Sequence, residues 1–389
     1  MSGAELPAGT LRRVTRAREL GIRIGRLAPG EQDAITDVAG VRVGHVTLIR
    51  GDGPLRVGEG PVRTGVTVVV PHDGDIWTEP VFAGAHRLNG NGELTGLEWI
   101  REARMLAGAI GITNTHSVGT VRDGLIEAGA RARGGRCDFW ALPTVGETYD
   151  GALNDLNGFH VRPEHVHEAL AAASGGPVAE GNVGGGTGMI CHEFKGGIGT
   201  ASRVVRRGWT VGVLVQANYG TRELLRIDGV PVGRSIPTSE VPSPWDQVDA
   251  VNARATPEGG SIIGIVATDA PLLPHQCARL AQRVGMGVAR MGSYASHGSG
   301  DLFVAFATGN RDLSRRAGED DPRETVELRM VVDEHINPLL EAVVEATEEA
   351  IVNALLAAET MTGRDGITAY ALDHDRLREV MRAHGRLPA

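Results

Sequence analysis

The stretch GGSIIGIV, residues 259–266, joins two glycines to an apolar, β-branched run that predicts a buried strand. Ser261 opens that strand, so its hydroxyl and its backbone nitrogen are expected at one rigid position. If the Gly260–Ser261 bond were cut, Ser261 would carry a hydroxyl nucleophile and a free α-amine. Such an amine has a usual pKa of about 7.7–8.0 and can act as a general base at neutral pH. By itself, a serine after a Gly-Gly pair indicates only a turn, so a catalytic role for Ser261 depends on evidence from the rest of the chain.

The composition indicates a turn-rich α/β enzyme. The chain has 389 residues, of which 41% are hydrophobic, 55 are glycine and only 4% are aromatic. This length allows one large domain or two ordinary ones. The net charge is -9, with 48 acidic and 39 basic residues interspersed along the chain. No basic stripe is present, so we expect no nucleic-acid partner.

Cysteine usage and hydropathy predict a cytoplasmic protein. The three cysteines are far apart and form no CxxC pair, which is typical of a reducing compartment. Residues 1–18 lack the apolar segment of a secretory signal, and no run of about 18 apolar residues predicts a membrane span. No HExxH motif or Cys/His ligand set occurs, so we expect no metal and no cofactor.

Hydrophobic periodicity predicts alternating strands and helices. Besides the strand that Ser261 opens, strands are predicted at 41–48, 64–70, 110–113, 138–143, 209–216 and 302–307, and helices at 121–132, 164–173, 274–291, 324–359 and 374–384. The helix over 324–359 is expected to kink at Pro338, with Glu341, Glu345 and Glu348 on its outer face. We expect a flexible arm over residues 1–25 and a proline-rich, linker-like loop over 221–258 that leads into the Gly260–Ser261 bond.

Most familiar catalytic motifs are absent. The chain has no GxSxG nucleophile elbow and no SxxK set. The glycine-rich segment 181–188 is not followed by the Lys-Ser/Thr pair of a phosphate-binding loop. Glu147 and Tyr149 lie two residues apart at a strand end and should point the same way, as a substrate clamp or as a structural pair. The remaining possibility is an activated N-terminal nucleophile at Ser261.

Eight further motifs point to one family. They are ITDV through VGH (35–45), LNGNGELTG (88–96), TNTHSVG (113–119), ETYDG (147–151), GNVGGGTG (181–188), QANYG (216–220), ATDAPL (267–272) and GSGD (298–301). In these motifs, and in their order from residue 34 to residue 366, the chain resembles the L-aminopeptidase/D-esterase (DmpA-type) family, which includes the β-peptidyl aminopeptidases.

The resemblance implies an architecture and a processing event. The fold would be a four-layer αββα sandwich with the layout of N-terminal-nucleophile (Ntn) hydrolases but a different connectivity. A single catalytic domain, 26–389, would form an inactive precursor that cuts itself between Gly260 and Ser261. The products would be an α chain, 1–260, and a β chain, 261–389. The αβ units would assemble into a homo-oligomer, namely a tetramer.

The resemblance also implies roles for the matching residues. Ser261 would be the nucleophile, and Asn218 and Tyr149 would stabilise the tetrahedral oxyanion. Ser299 and Asp301 would hold and tune the Ser261 amine; some members of the family carry Glu where this chain has Asp301.

Glu147 would pair with the free ammonium of the substrate, which implies an aminopeptidase or esterase. Its substrates would be small amino-acid amides, esters or short peptides, including β-peptides. Three alternatives remain at this point. One is a self-processed acyltransferase of the ornithine acetyltransferase type, which uses threonine as its nucleophile. The others are an unprocessed, inactive homologue and a binding module that holds an anion at residues 184–188.

Overall fold

The computed structural model describes residues 14–252, 260–313 and 323–388. The strands are β1 Arg42–Arg50, β2 Val62–Val70, β3 Val81–Gly90, β4 Met105–Leu106, β5 Ile110–Asn114, β6 Thr144–Thr148, β7 Ile190–Cys191, β8 Phe194–Lys195, β9 Gly197–Val204, β10 Thr210–Asn218, β11 Ser261–Thr268, β12 Gly300–Ala307, β13 Met361–Thr362 and β14 Thr368–Ala369. The helices are α1 Leu97–Ala103, α2 Val118–Ala132, α3 Pro163–Ala172, α4 Val232–Ser235, α5 Pro244–Asn252, α6 Pro274–Arg290, α7 Asn337–Ala357 and α8 His374–Ala383.

Two large sheets form the centre of the molecule. One has four strands in the order β1-β2-β5-β6, and the other has six in the order β4-β3-β12-β11-β10-β9. Most neighbours are antiparallel, but β5 pairs with β6 and β11 pairs with β12 in parallel. Two short hairpins, β7-β8 and β13-β14, lie outside these sheets.

The two sheets pack face to face, and helices cover both outer faces. Ile110 and Ile112 of the four-stranded sheet share one apolar cluster with Ile263 and Ile265 of the six-stranded sheet. Helices α6 and α7 pack on the outer face of the larger sheet, and α2 and α3 pack on that of the smaller sheet. The αββα sandwich is therefore confirmed. It explains why β2 and β11 are buried at every residue: each lies between two packed layers.

Two predicted elements are wrong in place or extent. Residues 138–143 form no strand; the strand is β6, Thr144–Thr148, which follows directly. The helix predicted over 324–359 begins only at Asn337, so Pro338 lies in its first turn, where a proline removes no hydrogen bond. Strands β3 and β9 were not predicted, because their polar and glycine residues obscure the strand pattern.

The glutamates of α7 were expected outside, but the structure buries two of them. Glu345 and Glu348 are 2% and 4% exposed, and Glu349 is fully buried. For Glu345 and Glu349 the cause is Arg203 of β9, itself fully buried, whose guanidinium lies 3.1 Å from Glu345 and 2.5 Å from Glu349. Glu348 instead lies 3.3 Å from the guanidinium of Arg290. Arg18 adds a second cation 2.8 Å from Glu349. Paired carboxylates can be buried, because their partners replace the lost hydration.

The two segments expected to be flexible contribute to the main core. Of the predicted arm, residues 1–13 lie outside the described residues, whereas Ala17, Leu20, Ile22 and Ile24 are buried in the cluster beneath α7. Of the predicted loop 221–258, residues 253–258 lie outside the described residues. The remainder contains α4 and α5, and residues 225–236 supply several buried side chains. No helix in the described parts of the chain has the length and apolarity to span a membrane.

Candidate active site

The ends of four strands bring the predicted site residues together. Ser261, the first residue of β11, pairs with Asn218 at the end of β10 and with Gly300 at the start of β12. From the facing sheet, the end of β6 supplies Glu147, and Tyr149 follows directly. A cavity of about 510 Å³ opens between the two sheets at this end. Its walls include five of the predicted site residues: Glu147, Tyr149, Asn218, Gly260 and Ser261.

The Ser261 hydroxyl lies against the bond that precedes it. The Ser261 side chain is largely buried, at 6% exposure, and its Oγ donates to the Gly260 carbonyl oxygen at 2.7 Å. The Gly300 N–H donates to the same oxygen at 3.0 Å. The nucleophile and a fixed backbone donor thus lie at one carbonyl group. A donor in that position would stabilise an oxyanion formed there.

Asn218 is held at both ends of its amide. Its Oδ1 accepts from the Ile190 N–H at 2.7 Å, and its Nδ2 donates to the Tyr149 carbonyl oxygen at 2.9 Å. An amide nitrogen carries two hydrogens, so one remains for the cavity. The Tyr149 side chain is 41% exposed, and burial of part of the ring raises the pKa of its phenol. Both groups are therefore available as hydrogen-bond donors at neutral pH.

Ser299 and Asp301 lie beside the start of β11. The Ser299 Oγ donates to the Asp301 Oδ1 at 2.7 Å. The second carboxylate oxygen, Oδ2, is buried and has no hydrogen-bond partner among the described residues. Burial raises the pKa of Asp301 to about 6. An unsatisfied buried oxygen of this kind is suited to accept a hydrogen bond from a group that forms later, such as an amine on Ser261.

Glu147 presents a carboxylate at the far wall of the cavity. It is only 3% exposed, and its Oε1 accepts from the Glu93 N–H at 3.0 Å. Its Oε2 accepts from the Thr115 hydroxyl at 2.5 Å. Burial raises the pKa of Glu147, and these two hydrogen bonds oppose that effect. The arrangement orients the carboxylate and leaves it without a cationic partner among the described residues.

Six residues of this cavity had no predicted role, and three of them have side chains that bear on the site. Glu93 and Thr115 fall within the motifs at 88–96 and 113–119, so the sequence marked their segments but not their contacts with Glu147. Trp245 lies in α5, within the stretch expected to be a linker, and no motif indicated it. Its position at the cavity depends on tertiary packing against a small apolar cluster that includes Val248 and Leu153.

The glycine-rich segment 181–188 serves packing. Its Gly184–Gly186 turn is buried, and the Gly184 and Gly185 N–H groups donate to the hydroxyls of Thr47 and Thr67 at 2.9 and 3.1 Å. A Cβ at Gly185 would lie 2.8 Å from the backbone carbonyl oxygen of Ile112, so only glycine fits. These donors are used within the protein, which argues against an anion-binding module. In the described residues, no group of three or more His, Cys, Asp or Glu side chains is arranged to hold a metal ion.

The αββα sandwich is the fold of the Ntn-type hydrolases, and the comparisons with solved structures support this class. A beta-aminopeptidase from Burkholderia sp. is 52% identical and superposes with a TM-score of 0.87, covering 96% of this chain and 100% of that one. The L-aminopeptidase D-Ala-esterase/amidase of Ochrobactrum anthropi, described as a variant of the Ntn hydrolase fold, is 44% identical with a TM-score of 0.86, covering 96% and 99%.

The family follows from the sequence comparisons. The model of peptidase family S58 matches residues 33–369. The beta-peptidyl aminopeptidase BapA of Sphingosinicella microcystinivorans is 48% identical over 379 residues, 96% of this chain and 93% of that protein. The chain belongs to peptidase family S58, and it is a serine aminopeptidase. The acyltransferase and inactive-homologue alternatives are not favoured.

Proposed function

We propose that this aminopeptidase is made by self-cleavage at Gly260–Ser261 and that Ser261 is its nucleophile. One observation carries the proposal: the Ser261 Oγ lies 2.7 Å from the carbonyl oxygen of Gly260, at the mouth of a cavity whose far wall presents the Glu147 carboxylate. The proposed domain 26–389 would then consist of an α chain ending at Gly260 and a β chain beginning at Ser261.

The processing step transfers the Gly260 acyl group from nitrogen to oxygen. The Ser261 Oγ attacks the Gly260 carbonyl carbon, and the Gly300 N–H, at 3.0 Å, stabilises the charge that forms on the carbonyl oxygen. The C–N bond breaks and the serine nitrogen takes up the proton that the hydroxyl has lost. Water then hydrolyses the ester, which leaves a carboxylate on Gly260 and a free amine on Ser261.

In the mature enzyme, the same oxygen attacks the substrate. The Ser261 α-amine accepts the hydroxyl proton and later donates it to the leaving nitrogen. Asn218 and Tyr149 donate hydrogen bonds to the oxyanion. The unpartnered Asp301 Oδ2, supported by Ser299, orients the amine. The resulting acyl-enzyme is hydrolysed by water.

The substrate class follows from Glu147. Its buried carboxylate would bind the free ammonium of the substrate, so chains with a blocked amino terminus are excluded. We propose small amino-acid amides, esters and short peptides, including those with β-amino acids. The relatives named as beta-aminopeptidases support the last group.

We further propose a cytoplasmic homo-oligomer, a tetramer of αβ units. All three cysteines are free, which supports a reducing compartment. Val326, Leu328, Met330 and Val332, every second residue of one segment, are 40–48% exposed. An apolar face of this kind on a water-exposed segment supports contact with a second copy. Sedimentation velocity of Leu328→Glu should show smaller particles than the wild type, and unchanged particles would exclude this face.

Intact-mass spectrometry under denaturing conditions tests the processing. The wild type should give two chains, one that ends at Gly260 and one that begins at Ser261. Ser261→Ala should remain one chain of 41.0 kDa without activity. Ser235→Ala, which changes a serine of α4 that does not line the cavity, serves as the matched control and should be cut normally. A cut Ser261→Ala chain would refute the assignment.

A further inference from the structure

A second cavity lies on the other side of Gly260. It has a volume of about 300 Å³ and shares two wall residues, Gly260 and Trp245, with the active-site cavity. Ser299 also lines it, so it reaches the group beside the start of β11. The two cavities therefore meet at the bond that self-cleavage would cut, and Glu147 lies in only one of them.

The wall of the second cavity is acidic. It includes the carboxylates of Glu193 and Asp246, and none of its described residues is Lys, Arg or His. Arg222 interacts electrostatically with Glu193, and its backbone N–H donates to the Glu193 Oε1 at 2.8 Å. The Arg222 guanidinium is buried: it stacks on Phe194 at 3.4 Å and donates to backbone carbonyls, including those of residues 192 and 193.

The ion-pair environment leaves a net negative charge in this wall. Arg222 offsets part of the charge of Glu193, because the two groups interact electrostatically. Asp246 is an exposed residue of α5 that lines the cavity. A positively charged group in the cavity would be attracted by Asp246, and a carboxylate would be repelled.

The same wall also offers hydroxyl groups. Tyr219 lines the cavity near its backbone, but it is only 3% exposed and its hydroxyl is buried in the core. Burial raises the pKa of this phenol well above its usual value, so it remains protonated. Ser243, Ser293 and Ser296 line the cavity as well. The three serine hydroxyls can therefore donate hydrogen bonds to, or accept them from, a polar ligand in the cavity.

We propose that the second cavity binds the leaving group of the substrate and selects amines that carry a positive charge and no carboxylate. This inference rests on the proposed role of Ser261. With the substrate ammonium at Glu147 and the reacting carbonyl at Ser261, the leaving portion extends away from Glu147 and past Gly260. Self-cleavage places a new carboxylate on Gly260. The negative charges of Glu193 and Asp246 repel this carboxylate from its present position, and its displacement opens the path.

A substrate series that varies only the leaving group tests the inference. The probes are β-alanyl-lysine amide, β-alanyl-norleucine amide and β-alanyl-glutamate amide, which have similar side-chain lengths and charges of +1, 0 and −1. We expect kcat/KM to fall by about fivefold at each step, the effect of one partly screened charge at several ångströms. The differences should shrink at 0.5 M salt.

Asp246→Asn should bring the lysine-to-norleucine ratio of kcat/KM close to one. Asp249→Asn, a change on the same helix outside the cavity wall, should retain the wild-type ratio. Equal kcat/KM for the three amides, or an unchanged ratio in Asp246→Asn, overturns the inference. Hydrolysis of the neutral norleucine amide reports on the proposed function separately, because it requires Ser261 and Glu147 but no charged leaving group.

Discussion

Replacing Glu147 by glutamine should separate substrate recognition from self-cleavage. Glutamine has nearly the same shape, and its oxygen can still accept from the Glu93 N–H that now binds Oε1 at 3.0 Å. The Thr115 hydroxyl, which donates to Oε2, can rotate to accept from the new amide. The substitution therefore removes the negative charge and little else. The precursor has no free ammonium at this position, so Glu147→Gln should cut itself as the wild type does.

The magnitude follows from the burial of the carboxylate. An ammonium and a carboxylate about 3.5 Å apart, at an effective dielectric of about 20, attract each other by about 5 kcal/mol. Part of that energy is offset by desolvation of both groups, so a net loss of about 3 kcal/mol is expected. This corresponds to a fall of about a hundredfold in kcat/KM for β-alanyl p-nitroanilide.

A substrate without the amine provides the decisive control. Propionyl p-nitroanilide lacks only the ammonium group, and the wild type should hydrolyse it poorly. Glu147→Gln should hydrolyse it at the wild-type rate, since the lost interaction does not exist for this substrate. An equal loss on both substrates would mean that Glu147 acts on the structure of the site. A variant with wild-type kcat/KM on the β-alanyl substrate would refute the ammonium assignment.

Three further predictions concern buried charges. Burial raises the pKa of Asp301 from 3.8 to about 6, so in the uncut Ser261→Ala chain this group should destabilise the fold by about 2–3 kcal/mol as the pH rises through that range. Adding Asp301→Asn should therefore raise the free energy of unfolding, measured in urea, at pH 7. Near pH 3.5, where this loss has not yet developed, the same substitution should leave the free energy of unfolding nearly unchanged. Burial lowers the pKa of Lys195 from 10.5 to about 7, so stability should rise between pH 7 and pH 10, and Lys195→Met should abolish the rise. Arg203→Met leaves buried carboxylates unpaired and should cost about 3–5 kcal/mol of stability. Arg26→Met, which breaks an ion pair whose arginine side chain is 79% exposed, should cost less than about 1 kcal/mol, and equal losses in these two variants would refute the argument.

Elements with a strong hydrophobic period were predicted well. The predicted helix 274–291 is observed as Pro274–Arg290, and the predicted strand 64–70 is observed as Val62–Val70. The predictions failed where a polar residue is buried with a distant partner. Glu345 looks like a surface residue of α7, and only its contact with Arg203, 142 positions away, places it inside. No local pattern carries that information.

The candidate site shows the same division. Ser261, Asn218, Tyr149 and Glu147 could be selected from the sequence, and the structure brings them to one cavity; their catalytic roles stay predictions. The contacts of Glu147 with Glu93 and Thr115 could not be predicted, because they join three segments through side-chain geometry.

The sequence by itself determined the α/β class, the buried strand that opens at Ser261 and the polar residues at the strand ends, and the resemblance of its motifs to a known family implied the sandwich. These features follow from local patterns and motifs, which are properties of neighbouring residues. Only the tertiary structure decided which carboxylates are buried, how Trp245 comes to the cavity, and that a second, acidic cavity lies behind Gly260. Those features depend on contacts between segments far apart in the chain, where burial and the distance between charges set the energies.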